Sequence, residues 1–343
     1  MPMSLPTARS RSNRMIETPA VIPHIGARQF NLRPSPACRR ARQTTQKARI
    51  REVTVDLFLQ QVLNGLTLGG IYSLVALGLT LVYGIMAVPN FAHGAFYMVG
   101  AFAAFYLTTR FGLGYWSAMA AAAVCVAVVA VLAERLVFFP LRNAPELAPM
   151  IAAIGLMLFL EAAAQALWGT DFHRMSPPWS GVLEWNGVIA PIQRLLIIAA
   201  AFGLVLALQL FLHHTVAGST ILAVAQNREG AALMGIDPRK VGMATFALSG
   251  VLAAVAAALY APINLVYPAM GQLVILKAFV IIILGGMGSV PGAVVGGLII
   301  GLAESFGAFY VSPDYQDLIA FVLLVAILSL RPQGLFSREM RAS

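Results

Sequence analysis

The sequence predicts an all-α fold, a polytopic transmembrane helical bundle of eight to nine spans with broken or re-entrant elements. Three observations predict it. Hydrophobic residues make up 59% of the 343-residue chain and charged residues 11%, whereas soluble domains carry about 25% charge. Apolar runs of about 20 residues, the length that crosses a bilayer, recur from residue 59 to residue 331. Glycine, proline and short polar clusters separate them, as loops and helix ends require.

The chain opens with a basic extension, residues 1–54. Residues 1–52 hold eleven Lys and Arg against Glu17 and Glu52, while residues 53–343 hold twelve of each sign. The formal net charge of +9 therefore belongs to the extension, and the membrane body is neutral. That distribution argues against nucleic acid as a partner of the body. The extension is rich in Pro, Ser, Thr and Arg, lacks an apolar run long enough for a signal peptide, and is expected to be disordered. Three readings fit it: an upstream start that is not the native one, a transit-like leader, or a basic arm on anionic lipid. The first is favoured, because organised sequence begins abruptly near Val55. Cys38 and Cys125 offer neither a disulfide framework nor metal-ligand spacing.

The transmembrane domain covers 55–338, with a short tail at 339–343. Nine spans are expected at 59–86, 92–110, 115–138, 147–169, 191–213, 242–266, 272–287, 289–311 and 315–331. The seventh and eighth are joined only by the glycine-rich stretch from Gly285 to Gly292, so one of them is a candidate broken or re-entrant element. Eight full spans is the alternative count.

Orientation follows from the distribution of Lys and Arg across the loops. With the loop at 224–241 placed inside, the inner side holds Arg135, Arg142, Arg228, Arg239, Lys240, Arg331, Arg338 and Arg341, and the outer side Arg110, Arg174 and Arg194. The tally puts the C-terminus in the cytoplasm. It puts the Pro- and Trp-containing loop from Thr170 to Ala190 outside, where it suits an interfacial cap or a docking surface.

Polar residues inside apolar spans are the first functional candidates, because an unsatisfied polar group in hydrocarbon costs several kcal/mol. Asn64, with Gln60, Gln61 and Thr67, is expected to face the bundle interior. Asn90 and His93 lie where Pro89 and Gly94 interrupt the apolar pattern, so freed backbone groups there could meet a polar solute or simply form a tight turn. Glu161, Lys277 and Glu304 are ionisable groups at membrane depth. The leading reading is a structural ion pair between Lys277 and one of the glutamates, and the other is a substrate path. Gly288, Gly292 and Gly296 recur every four residues, as do Gly297 and Gly301, a spacing that lets two helix backbones approach closely.

The segment from Val224 to Val241 is a polar island between apolar runs. Ala225 to Met234 are good helix formers, Gly235 is placed to end that helix, and Pro238 prevents its continuation. A short surface helix is expected, with small Ala231 and Ala232 able to sit in a groove and Arg228 and Glu229 at its rim. An ordinary amphipathic loop is the alternative. No HExxH, serine or cysteine triad, or nucleotide fingerprint occurs, and the glycine run at 285–288 lacks the GKS or GKT of a phosphate loop. Catalytic and metal-ligating residues are therefore not expected.

The runs QQVLNGLTLGGIYSLVALGLTLVYGIMAVPNFAHGAFYMVGAF, AVAQNREGAALMGIDPRKV and LKAFVIIILGGMGSVPGAVVGG, and the ending RPQGLF, resemble the inner-membrane permeases of bacterial branched-chain amino acid ABC importers, of the LivH type. The likeness runs in order from about Val55 to Phe336. It implies a permease subunit for leucine, isoleucine and valine, with urea, short amides or another small amino acid as alternative solutes. It also implies a LivM-like second permease, two cytoplasmic ATP-binding subunits that bind ATP and magnesium in place of any cofactor in this chain, and a periplasmic substrate-binding protein. On that resemblance Asn227, Arg228, Glu229, Ala231, Gly235 and Asp237 map to the segment that contacts the ATPase. A secondary transporter or channel without an ATPase is the rival from another class.

Overall fold

A computed structural model describes residues 36–185, 188–331 and 334–336 of the chain. Two units are distinguished, Met1–Ile50 and Arg51–Ser343. In the first, residues 1–35 lie outside the described residues, so the expectation of disorder there does too, and the backbone is helical from Pro36. The second unit contains all nine expected apolar elements as helices.

These are α1 (Pro36–Met86), α2 (Ala92–Thr109), α3 (Tyr115–Ala133), α4 (Leu147–Trp168), α5 (Ile192–His214), α8 (Pro238–Tyr260), α9 (Met270–Gly285), α10 (Val290–Tyr310) and α11 (Gln316–Leu330). Two short helices, α6 (Val216–Gln226) and α7 (Arg228–Leu233), lie between α5 and α8. A π-turn at Glu134–Phe138 extends α3. Among the described residues, seven helical stretches are both long and apolar enough to cross a membrane, the first being Asp56–Met86. The two that fall short do so for different reasons. Helix α2 is buried against α3, α8 and α9, so its surface need not match lipid. Helix α9 has 16 residues, about 24 Å at ~1.5 Å per residue against a hydrocarbon core of about 30 Å. The weak seventh span is thus a short helix continued by a turn.

Helices α1, α2 and α8 form the centre, where Phe96, Tyr97, Phe102 and Phe246 are fully buried. Helices α4, α5 and α11 turn most of their apolar surface outward, as lipid-facing elements do. Helix α10 is held by glycines on two faces. Gly292 and Gly296 lie against α9, where a Cβ on Gly296 would stand 2.8 Å from the Ile281 carbonyl oxygen. Gly297 and Gly301 lie against Ser73 and Gly69 of α1, with no room for a Cβ. Gly288 corrects the packing reading: it stands in the turn before α10 at φ +82°, with nothing within 4 Å of a Cβ. Its role is conformational, since left-handed backbone is costly for residues with a Cβ. Ser289 then caps α10, accepting the Gly292 amide at 3.1 Å.

The loop from Thr170 to Ala190 carries two small antiparallel sheets. Strand β1 (His173–Arg174) pairs with β4 (Leu265–Val266), tying the loop after α4 to the connection between α8 and α9. Strands β2 (Val182–Trp185) and β3 (Val188–Pro191) form a hairpin leading into α5. Trp168 stacks on Phe102 with ring centroids 4.8 Å apart, and His173 stacks on Phe105 at 4.9 Å. Of the ending RPQGLF, Arg331 and residues 334–336 are described, and the latter dock on α9: Leu335 and Phe336 donate their amides to the Leu284 and Gly285 carbonyls at 2.8 and 3.1 Å. Those are helix-terminal carbonyls that the helix itself leaves unpaired.

Candidate functional site

Lys277 on α9, Glu304 on α10 and Tyr72 on α1 form a buried cluster. The Lys277 ammonium lies 3.0 Å from Glu304 Oε2 and 2.8 Å from Asp317 Oδ1 at the start of α11. Tyr72 donates to Glu304 Oε2 at 2.8 Å and accepts from Lys277 Nζ at 3.0 Å. Three helices and the head of a fourth meet at one ammonium, so the expected ion pair exists and its glutamate is Glu304. Glu161 lies elsewhere, on α4, where Gln272 donates to its Oε2 at 2.7 Å.

Beside this cluster a cleft of about 350 Å³ opens at the end of the bundle where the apolar stretch Asp56–Met86 of α1 and helix α5 begin and α8 and α10 finish. Its polar lining is Gln61, Asn64, Thr67, Arg194, Tyr260, Ser305 and Gln316, and its apolar lining includes Leu68, Ile263 and Phe309. Arg194 donates to Asn64 Oδ1, Asn64 donates to Gln61 at 3.3 Å, and Ser305 donates to the Gln61 carbonyl at 2.8 Å. Gln316 reaches back to Glu304 Oε2 at 3.4 Å. Among the described residues the cleft thus carries one cation and no carboxylate in its lining. Of the sequence candidates, Asn64 lines it, and Lys277 and Glu304 stand behind it.

Asn90 and His93 are placed differently. His93 is fully buried at the junction of α1, α2 and α8. Its Nε2 lies 3.0 Å from the Val75 carbonyl and its Nδ1 3.1 Å from the Ser249 hydroxyl. A neutral ring with the proton on Nε2 satisfies both partners, since the carbonyl can only accept. Asn90 Oδ1 accepts the Ala92 amide at 3.1 Å, turning the chain into α2 after Ala87 at φ +52°. The break between the first two spans is therefore a tight turn followed by a three-helix clasp, and neither side chain lines the Arg194 cleft.

At the opposite end of α8 lies the polar island. The single expected helix over Ala225–Met234 is two: α6 ends at Gln226, and Asn227 in extended backbone caps α7 by accepting the Gly230 amide at 2.8 Å. Asparagine competes with the helical backbone and favours caps over interiors. Gly235 ends α7 as expected, at φ +83°. Its amide reaches the Ala232 carbonyl at 3.0 Å and that of Ile236 reaches Ala231 at 3.1 Å, the paired closure of a Schellman motif. Pro238 stands in the first turn of α8, capped by Asp237, which accepts the Arg239 amide at 2.9 Å. Ala231 is buried, while Leu233 and Met234 are 89% and 83% exposed.

A second cleft of about 140 Å³ separates this segment from the π-turn, lined by Glu134, Phe139, Arg142, Arg228, Arg239 and Phe246 among others. The guanidinium groups of Arg142 and Arg239 lie 4.3 and 4.5 Å from the centre of the Phe139 ring. Sequence reading missed Arg194, Tyr72, Gln316 and Asp317 as site residues. Each sits at or near a helix start or in an otherwise ordinary apolar stretch, and only the meeting of distant helices marks it.

The chain matches the family described as branched-chain amino acid transport system / permease component over residues 61–328. It is 37% identical over 300 residues to the high-affinity branched-chain amino acid transport system permease protein BraD of Pseudomonas aeruginosa, covering 82% of this chain and 96% of that one. To LivH of Escherichia coli K12 it is 35% identical over 301 residues, with the same two coverages. To LivM of the same organism it is 24% identical over 296 residues, covering 78% of this chain and 68% of LivM. The matched stretch contains the Arg194 cleft, the Lys277 cluster and the capped helix α7, and the chain belongs to the branched-chain amino acid transport permease family.

Proposed function

We propose that the chain is the permease subunit of an ATP-driven importer that moves leucine, isoleucine and valine across a bacterial inner membrane, with its C-terminus in the cytoplasm. It works with a LivM-like second permease, two cytoplasmic ATP-binding subunits and a periplasmic substrate-binding protein. ATP and magnesium are bound by those partner subunits, where hydrolysis takes place. The observation that carries this reading is the family match across residues 61–328, joined to a helix at the Arg-rich end that is capped on both sides and displays Leu233 and Met234 to its surroundings.

Helix α7 suits a docking element because it is short, closed at each end by hydrogen bonds, and continuous with α8 through only a few residues. A push on α7 reaches Asp237 and Pro238, and through them the central helix α8. Coupling requires that the ATPase bind α7 differently in the inward-open and outward-open states. The six residues Asn227, Arg228, Glu229, Ala231, Gly235 and Asp237 make up the contact and its caps.

The test is reconstitution of the complex with the Glu229→Arg or Gly235→Val substitution in this chain. Both variants are expected to assemble in the membrane and to lose substrate-stimulated ATP hydrolysis. Full stimulation in both would overturn the coupling assignment, and absence of any co-purifying ATP-binding subunit would favour a secondary transporter or channel. Import of urea or a short amide in place of leucine would keep the machine and change the solute.

A further inference from the structure

We propose that the Arg194 cleft is an α-amino-acid subsite at the outer mouth of the permease, with Arg194 receiving the carboxylate and the Gln316 wall facing the ammonium. This rests on the import reading above and on the orientation from the distribution of Lys and Arg, which places Arg194 outside.

The cleft has two poles once the groups behind its lining are counted. Its positive pole is Arg194 on α5, which has no carboxylate partner among the described residues and is steadied by Asn64 Oδ1. A guanidinium offers a planar fork of donors that matches a carboxylate in two bonds, and Asn64 occupies only part of it. Gln316 also lines the cleft and is backed by two carboxylates, Glu304 and Asp317, around the single ammonium of Lys277. That cluster carries one negative charge in excess, and Glu304 Oε1 is fully buried without a hydrogen-bond partner among the described residues. The same lining includes Leu68, Ile263 and Phe309, which give apolar contact for a side chain. A volume of about 350 Å³ lies in the range of small-molecule sites, about 300–1,000 Å³. A zwitterion with an apolar side chain complements all three features, whereas urea or a neutral amide brings no charge to either pole. The site would receive the solute as the binding protein releases it, before the path opens further.

The experiment uses the full reconstituted complex with its binding protein in proteoliposomes, with Arg194→Gln, Arg194→Lys and, with the native cysteines replaced by serine, Arg194→Cys. Arg194→Gln is expected to slow leucine uptake about tenfold or more, the loss of a charged hydrogen bond, at equal assembly. Arg194→Lys should recover much of that rate. Arg194→Cys should recover when labelled with a cationic aminoethyl thiosulfonate and stay slow with an anionic sulfonatoethyl reagent, and leucine-loaded binding protein should slow the labelling. A merely structural role for Arg194 does not predict that charge-selective rescue. Uptake by Arg194→Gln within about twofold of wild type, or equal recovery with both reagents, overturns the subsite while leaving the importer intact. Failure of the wild-type complex to import leucine overturns the import reading itself.

Discussion

Lys277 and Glu304, 27 residues apart on consecutive helices, meet at 3.0 Å with side-chain exposures of 8% and 0%. An ion pair so enclosed is costly to break from one side, because the surviving charge stays buried, at about 3–5 kcal/mol. Lys277→Met is therefore expected to lower the thermal unfolding temperature of the detergent-solubilised protein sharply, and Lys277→Met with Glu304→Gln to recover part of the loss. A double variant no better than Lys277→Met alone would show that the pair does not act as a unit.

His93 is predicted to be a stability residue. Replacing it by leucine leaves the Val75 carbonyl and the Ser249 hydroxyl without their partner, at about 1–3 kcal/mol per buried group. Ser249→Ala alone should cost about 1 kcal/mol, and little more in the His93→Leu background, since the two share one bond. Uptake per folded complex should be unchanged in all three. A lower rate at equal folded protein would place His93 on the solute path.

Two glycines that read alike in sequence should respond differently. At Gly301 a methyl group meets the backbone of α1 at Gly69, so Gly301→Ala should overpack the α1–α10 seam by about 1–3 kcal/mol and Gly301→Leu should prevent folding. At Gly288 space is open but φ is +82°, so alanine should cost about 1–2 kcal/mol and asparagine less. Melting curves of the four variants decide it, and a Gly288→Asn variant no more stable than Gly288→Ala, or a normally folded Gly301→Leu variant, would count against the separation.

Asn227 caps α7 through the Gly230 amide. Asn227→Ala should cost about 1 kcal/mol of local helix stability, seen as faster exchange of the Gly230 amide hydrogen. Stimulated ATP hydrolysis should fall with it, and Asn227→Asp or Asn227→Ser should preserve both. Unchanged exchange in Asn227→Ala would mean that α7 is held by its neighbours.

Much of the architecture was legible in the apolar runs. All nine expected spans are helices, because the thickness of a bilayer dictates a length that any sequence crossing it must show. The stop at Gly235 was legible too, since few residues adopt left-handed backbone without cost. The division of the polar island at Asn227 was not, because the flanking residues are good helix formers and only the cap chemistry of one side chain breaks them apart. Gly288 shares a four-residue spacing with Gly292 and Gly296, and spacing does not reveal which glycine lies in a turn.

What the sequence by itself determined is the membrane-spanning bundle, its polar island and the set of buried charges that need partners. The tertiary structure decided which partners these and the other polar candidates take: Glu304 and not Glu161 for Lys277, the Val75 carbonyl and Ser249 for His93, Arg194 for Asn64. Hydrocarbon forbids an unpaired polar group, so local sequence can announce the need. Only the crossing of helices, 27 residues apart for Lys277 and Glu304 and 130 for Asn64 and Arg194, can say how it is met, and that crossing leaves Arg194 facing an open cleft.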